Sequence, residues 1–87
     1  YWGDVDTEGF EALSSLRSFV PHAKTILMDV QTLNRWRNLV SEGTGRRVPK
    51  QLYLAPEEAE AYRECCKANL RIEQERLPQA SIIEALG

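Results

Sequence analysis

The stretch that most constrains this chain is Tyr1 to Gly9, because it combines a strand signal with two closely spaced acids. Two aromatic residues and Gly3 lead into Asp4 and Asp6. Aromatic and β-branched residues favour the pleated surface of a strand, and residues at i and i+2 share one face of an extended chain. The stretch therefore predicts the carboxyl end of a strand that turns into a helix, with both carboxylates on one side.

Two chemical roles are open for the aspartate pair. Two carboxylates held close together repel each other, and a divalent cation removes that repulsion while taking oxygen ligands. Asp4 and Asp6 are therefore candidate ligands of a hard divalent cation. Alternatively, Asp6 or Thr7 caps the helix that follows, with Glu8 favourable in its first turn.

Composition bounds the class of protein. The 87 residues form one small domain at most, and 43% hydrophobic residues with a net charge of −2 exclude a disordered chain. No apolar run approaches the ~20 residues of a membrane-spanning helix. Cys65 and Cys66 are adjacent, which suits neither a zinc site nor a disulfide framework, so we expect a reducing compartment, the cytoplasm. The chain begins within a strand signal, and we expect it to be a fragment of a longer protein.

Four segments carry helix signals. In each of them apolar residues recur at helical spacing. Proline ends the first segment and glycine the second, whereas the third has proline at its first helical position. Gly9 is costly so near a helix start, so we expect it to let a neighbouring backbone or ligand come close. The four predicted helices cover Phe10–Val20, the segment between Asp29 and Gly43, the segment from Pro56 to Asn69, and Gln79–Leu86.

The sequence also predicts two short strands, Thr25–Met28 and Leu70–Ile72. Strands that alternate with helices form parallel sheets with right-handed crossovers. The sequence therefore predicts an α/β fold with a small parallel sheet flanked by helices. In that sheet the strands that end at Gly3 and Met28 are neighbours.

Each predicted strand ends in acidic residues, and this recurrence favours a metal centre. Asp4 and Asp6 follow the first strand, Asp29 follows the second, and Glu73 and Glu75 follow the third. Ligands of open α/β sheets bind at the carboxyl ends of the strands. We therefore expect Asp29, Glu73 and Glu75 to be auxiliary residues around the ion. Asp29 also fits a structural role as the cap of the second helix.

Six blocks of the sequence, which include a Trp-Gly-Asp-x-Asp and a Glu-Gln-Glu-Arg motif, follow one another at the spacing of a known family. They are Tyr1–Asp6, Gly9–Phe10, Leu16–Arg17, Pro21–His22, Leu27–Asp29 and Ile72–Arg76. Over nearly its whole length the chain resembles the C-terminal domain of the Wadjet defence subunit JetD. That bacterial family has a toprim fold and is similar to the A subunit of type VI topoisomerases.

The resemblance implies that residues 1–87 are the C-terminal part of a toprim (Rossmann-like) domain. It implies a Mg²⁺-dependent DNA endonuclease in the intact parent. Asp4 and Asp6 match the Asp-x-Asp pair of that family, so the resemblance implies that they are catalytic residues and ligands of Mg²⁺ or Mn²⁺. The implied partners are plasmid DNA, a condensin-like SMC complex and a second copy of the parent. The earlier glutamate of toprim sites has no counterpart here, and no nucleic-acid-binding residue is assigned. The alternative is a non-catalytic interaction domain that docks its parent onto a partner protein.

Overall fold

The computed structural model describes residues 1–87, in which four α-helices accompany one small antiparallel sheet. In chain order the elements are α1 (Thr7–Phe19), α2 (Val30–Arg35), β1 (Ser41–Glu42), α3 (Pro56–Ala68), β2 (Leu70–Arg71) and α4 (Gln79–Leu86). Single turns of 3₁₀ helix occupy Arg37–Leu39 and Gln74–Arg76. None of these helices has the length and apolar character needed to span a membrane.

All four predicted helices are present, and local capping explains where three of them begin. The Asp6 side chain accepts the Gly9 N–H at the start of α1, and the Asp29 side chain accepts the Thr32 N–H at the start of α2. Proline occupies the first position of α3, where its missing N–H costs nothing. The second helix is shorter than predicted, because it gives way to the 3₁₀ turn and then to β1.

The core is a single apolar cluster between α1, α2, α3 and the segment that contains β2. Both cysteines lie in it as fully buried side chains, which confirms that they fill space in the core. Burial raises the pKa of the Cys65 thiol to about 12 and also raises the pKa of Cys66, so both thiols stay protonated. The cluster consists of Val5, Phe10, Leu13, Met28, Leu33, Ala61, Tyr62, Cys65, Cys66, Ile72 and Leu77.

The predicted parallel sheet is not formed in this chain, because its one sheet is antiparallel. β1 pairs with β2 so that Ser41 lies opposite Arg71 and Glu42 lies opposite Leu70. The predicted third strand is therefore present, but its partner is a segment that the sequence placed at the end of a helix.

The predicted strand at Thr25–Met28 is wrong. Leu27 has a φ of 57°, a left-handed conformation that interrupts an extended chain. Met28 is fully buried, so the apolar run marks burial and not a strand. The strands predicted to end at Gly3 and Met28 are therefore not neighbours in a sheet, and only two hydrogen bonds join their segments: the Tyr1 amino group donates to the carbonyl of Lys24, and the Ile26 N–H donates to the carbonyl of Tyr1.

A buried ion pair fastens α1 to the start of α3. The Glu58 carboxylate accepts hydrogen bonds from two nitrogens of Arg17, from the Thr25 hydroxyl and from the Ala55 N–H. Arg17 also donates to the backbone carbonyls of Ala23 and Tyr53. The side chains of Arg17 and Glu58 are only 13% and 6% exposed. The pair thus ties two helices and two connecting segments together.

Candidate functional site

The site is built by one antiparallel bridge that joins the first residues to the segment after β2. Val5 and Ile72 exchange both backbone hydrogen bonds, with N···O distances of 2.9 and 3.0 Å, and both side chains are buried. Side chains alternate between the two faces of extended chains. Asp4, Asp6 and Arg71 therefore lie together on the face opposite the core.

Each aspartate of the pair is held by one backbone N–H through its Oδ1 atom. The Oδ1 of Asp4 accepts the N–H of Gln74 at 2.9 Å, and the Oδ1 of Asp6 accepts the N–H of Gly9 at 2.6 Å. The structure thus confirms that Asp6 caps α1. The cap uses only one carboxylate oxygen, so capping leaves the second oxygen of Asp6 available for another role.

The Oδ2 atoms of both aspartates face a single cation, the guanidinium of Arg71. Its Nη2 lies 3.1 Å from Oδ2 of Asp4, and its Nε lies 3.3 Å from Oδ2 of Asp6. The Nε is within ion-pair distance, but its N–H does not point at the carboxylate, and it is buried without a hydrogen-bond partner. The hydrogen bond to Asp4 is the largest cause that raises the pKa of Arg71, so the guanidinium stays charged.

The two aspartates differ in burial, and burial affects the pKa of Asp6. The Asp4 side chain is 28% exposed, whereas that of Asp6 is 7% exposed. Burial is the largest cause that raises the pKa of Asp6, and the charges of Glu8 and Asp4 act in the same direction. The Gly9 N–H and Arg71 lower the pKa of Asp6 without cancelling that rise. Asp6 is thus a carboxylate that gains from any additional nearby cation.

Gly9 is required by the close approach of the backbone at this site, as the sequence predicts. A Cβ atom at this position would lie 2.0 Å from the carbonyl oxygen of Asp4 and 3.0 Å from Oδ1 of Asp6. Real Cβ atoms do not approach a backbone oxygen so closely. The glycine therefore lets the first turn of α1 pack directly on the residue that carries the first carboxylate.

The three auxiliary candidates are placed differently from one another. Asp29 caps α2 through its hydrogen bond to Thr32. Glu73 lies across from Asp4 in the register of the Val5–Ile72 bridge, and its charge contributes to the raised pKa of Arg71. Glu75 is exposed in the 3₁₀ turn. The structure holds no group of three or more His, Cys, Asp or Glu residues that could bind a metal ion.

The sequence interpretation missed two residues of the site, Arg71 and Gln74. Gln74 holds Asp4 with its backbone, and its side-chain Oε1 is buried without a hydrogen-bond partner. A signal for Arg71 was present, because in Leu70-Arg71-Ile72 the central residue must face away from its apolar neighbours. Only the antiparallel register shows that this face is also the face of the two aspartates.

The order of these features along the chain matches a known family. The chain matches the family described as Wadjet protein JetD, C-terminal, over residues 1–86. It belongs to this family. The match to the JetD C-terminal family includes every residue of the site, from Asp4 to Gln74. No curated protein matches the chain.

Proposed function

We propose that this domain supplies the Asp4 and Asp6 ligands of a divalent cation in a toprim-type DNA nuclease. The intact parent would cleave plasmid DNA together with a condensin-like SMC complex in Wadjet defence, as a homodimer. Membership of the JetD C-terminal family supports the defence role. The observation that carries the chemical proposal is the convergence of both Oδ2 atoms on one cationic group.

The donor atoms at the site are oxygens, the type of ligand that a hard divalent cation binds. Mg²⁺ is commonly bound through one or two carboxylates, with waters and substrate phosphate oxygens completing six ligands. Asp4 and Asp6 supply two carboxylates on one face, and an arginine already shows that this place accommodates positive charge. Gln74, whose backbone N–H holds Asp4, also has a buried neutral side-chain oxygen, Oε1, without a hydrogen-bond partner. The remaining ligands would come from the earlier toprim glutamate, the phosphate and water.

The residues of this chain would hold and orient the ion. When bound, such an ion polarises the scissile phosphate and helps to generate the attacking nucleophile. Asp4 is fixed by the Gln74 N–H and Asp6 by the Gly9 N–H, so the second oxygen of each carboxylate, Oδ2, has a defined direction. That preorganisation means that little reorientation is needed when the ion arrives.

Plasmid cleavage by the full-length parent and its SMC complex tests this proposal. Asp4→Asn and Asp6→Asn keep the shape of each side chain and its capacity to accept a backbone N–H, but they remove the charge. We expect each to lower the cleavage rate of supercoiled plasmid by at least about 100-fold. The loss of residues that only support a metal ligand already costs about 10–100-fold.

Glu57→Gln is a suitable control, because this exposed acid loses the same charge in the first turn of α3, away from the site. Cleavage at the wild-type rate by the double Asp4→Asn, Asp6→Asn variant would show that these residues are not catalytic. The interaction-domain alternative predicts that outcome, accompanied by weaker assembly with the partner when the surface of this domain is altered.

A further inference from the structure

Arg71 is held in the structure in a different way from Arg17. Arg17 uses Nε and both terminal nitrogens as hydrogen-bond donors, and its side chain is 13% exposed. Arg71 makes one side-chain hydrogen bond, its Nε has none, and its side chain is 33% exposed. Arg17 therefore has the contacts of a structural residue, whereas Arg71 is held mainly by charge and has a path to solvent.

The Arg71 guanidinium lies next to the two aspartate oxygens that accept no backbone N–H. The Oδ1 atoms of Asp4 and Asp6 are taken by backbone N–H groups, and it is the two Oδ2 atoms that face Arg71. Two carboxylates carry twice the charge of one guanidinium, so the cluster keeps a net negative charge. Such a cluster favours a more highly charged cation at the same place.

We propose that Arg71 is the resident counter-cation of the Asp4 and Asp6 pair and competes with a divalent cation for their Oδ2 atoms. This inference rests on the proposed function, because it presumes that the pair binds the ion. A divalent cation approaches carboxylate oxygens to about 2.0–2.6 Å. That is closer than the 3.1 and 3.3 Å of the guanidinium nitrogens. The ion therefore moves Arg71 toward solvent when it binds.

The competition has a consequence for affinity. The attraction that Arg71 loses on ion binding is subtracted from the binding free energy of the ion. Arg71 thus sets the cation concentration at which the site fills, and it keeps the two carboxylates together when no ion is bound. Removing its charge should tighten ion binding and, at the same time, destabilise the ion-free domain.

Mn²⁺ titration of the isotope-labelled 87-residue chain, followed by paramagnetic broadening of the Asp4 and Asp6 amide signals, tests this proposal. We expect Arg71→Met to lower the apparent dissociation constant of Mn²⁺ by at least about fivefold, the lower end of common coupling energies. Arg76→Met is the matched control, because Arg76 is exposed in the same segment and its loss changes the net charge equally. We expect it to change the constant by less than about twofold, as for a solvent-screened charge.

Thermal unfolding provides a second readout that does not depend on activity. Without Mn²⁺, Arg71→Met should unfold at a lower temperature than wild type, and saturating Mn²⁺ should raise its midpoint more than it raises that of wild type. If Arg71→Met does not fold without ion, Arg71→Lys takes its place. A lysine keeps the charge but cannot span two carboxylates, so we expect Arg71→Lys to bind Mn²⁺ more tightly than wild type, and an affinity equal to or weaker than that of wild type would overturn the proposal.

The outcomes separate this inference from the proposed function. If wild type binds Mn²⁺ through Asp4 and Asp6 but neutralising Arg71 leaves the affinity unchanged or weaker, competition by Arg71 is wrong and the metal site remains. An equal gain in Arg76→Met would also overturn it, because net charge alone would then explain the effect. If Asp4→Asn and Asp6→Asn leave the Mn²⁺ broadening of wild type unchanged, the metal site itself is wrong.

Discussion

Removing the Glu58 carboxylate is the most informative test of how this small domain is held together. Glu58→Ala leaves the Arg17 guanidinium largely buried without its counter-ion and takes away the acceptor of four hydrogen bonds. Breaking a buried ion pair from one side costs about 3–5 kcal/mol. Because Arg17 keeps its bonds to Ala23 and Tyr53, we expect the lower end of that range, about 3 kcal/mol.

That cost is a large share of the stability that a chain of this length has. At about 0.05–0.15 kcal/mol per residue, 87 residues give a free energy of unfolding of about 4–13 kcal/mol. A loss of 3 kcal/mol corresponds to a fall in Tm of about 12–24 °C for a domain of this size. Urea and thermal denaturation followed by circular dichroism measure both quantities directly.

Glu57→Ala is the matched control, because it removes the neighbouring acid from the same helical turn where the side chain is exposed. It should cost no more than about 1 kcal/mol, the usual value of an acid near a helix N-terminus. A loss in Glu58→Ala within about 1 kcal/mol of the loss in Glu57→Ala would refute the reasoning.

Protonation provides the same perturbation without mutation. Burial is the largest influence on Glu58 and raises its pKa, but hydrogen bonds from Arg17, Thr25 and Ala55 outweigh it, so the pKa lies below its ordinary value. The folded state thus binds this proton less readily than the unfolded state. The contribution of Glu58 is present above the unfolded pKa of about 4.3 and is lost as pH falls through the lower folded pKa. The stability difference between wild type and Glu58→Gln should shrink over that window.

Three further substitutions or reagents test other parts of the structure. Gly9→Ala should destabilise the domain by about 1–3 kcal/mol in urea denaturation, because its Cβ would lie 2.0 Å from the Asp4 carbonyl and the backbone must shift. Asp29→Ala should cost about 1 kcal/mol through the lost cap of α2, and Asp29→Asn should recover most of it. Cys65 and Cys66 should react with a thiol reagent only at the rate of unfolding, since both are fully buried with raised pKa values.

The helices could be predicted from the sequence because their signals are local. Asp29 caps α2, Pro56 begins α3 and Gln79 begins α4, as their neighbours along the chain predict. These signals depend on residues within one turn of each other, so they do not require knowledge of the remainder of the fold. The position of α1 behind Asp6 was predictable for the same reason.

The sheet could not be predicted from local signals. An apolar run as short as Thr25–Met28 indicates burial, but it does not distinguish a strand from a buried connecting segment. The pairing of Ser41 with Arg71 joins residues that are far apart in the chain, and nothing in either segment specifies its partner. Direction and register therefore come from packing of the whole core.

The residues of the candidate site likewise fall into two groups, those indicated by local sequence and those brought in by long-range pairing. Asp4 and Asp6 are visible in the sequence because their spacing alone places them on one face. Arg71 and Gln74 reach them only through the bridge between Val5 and Ile72, which is a long-range contact. The side chain that offsets part of the aspartates' charge therefore cannot be identified without the register of that bridge.

The two oxygens of Asp6 contact different groups, so what happens at one oxygen can affect the start of helix α1 through the other. Its Oδ1 accepts the Gly9 N–H, while its Oδ2 faces the guanidinium of Arg71. Any change that draws the carboxylate away from the helix would lengthen the bond to Gly9 and loosen the first turn of α1, whereas a partner that fixes the carboxylate in place would slow the opening of that turn. Fraying of the helix end normally governs the hydrogen-exchange rate of the Gly9 amide. Here that rate also reports any change in the environment of the Asp6 carboxylate.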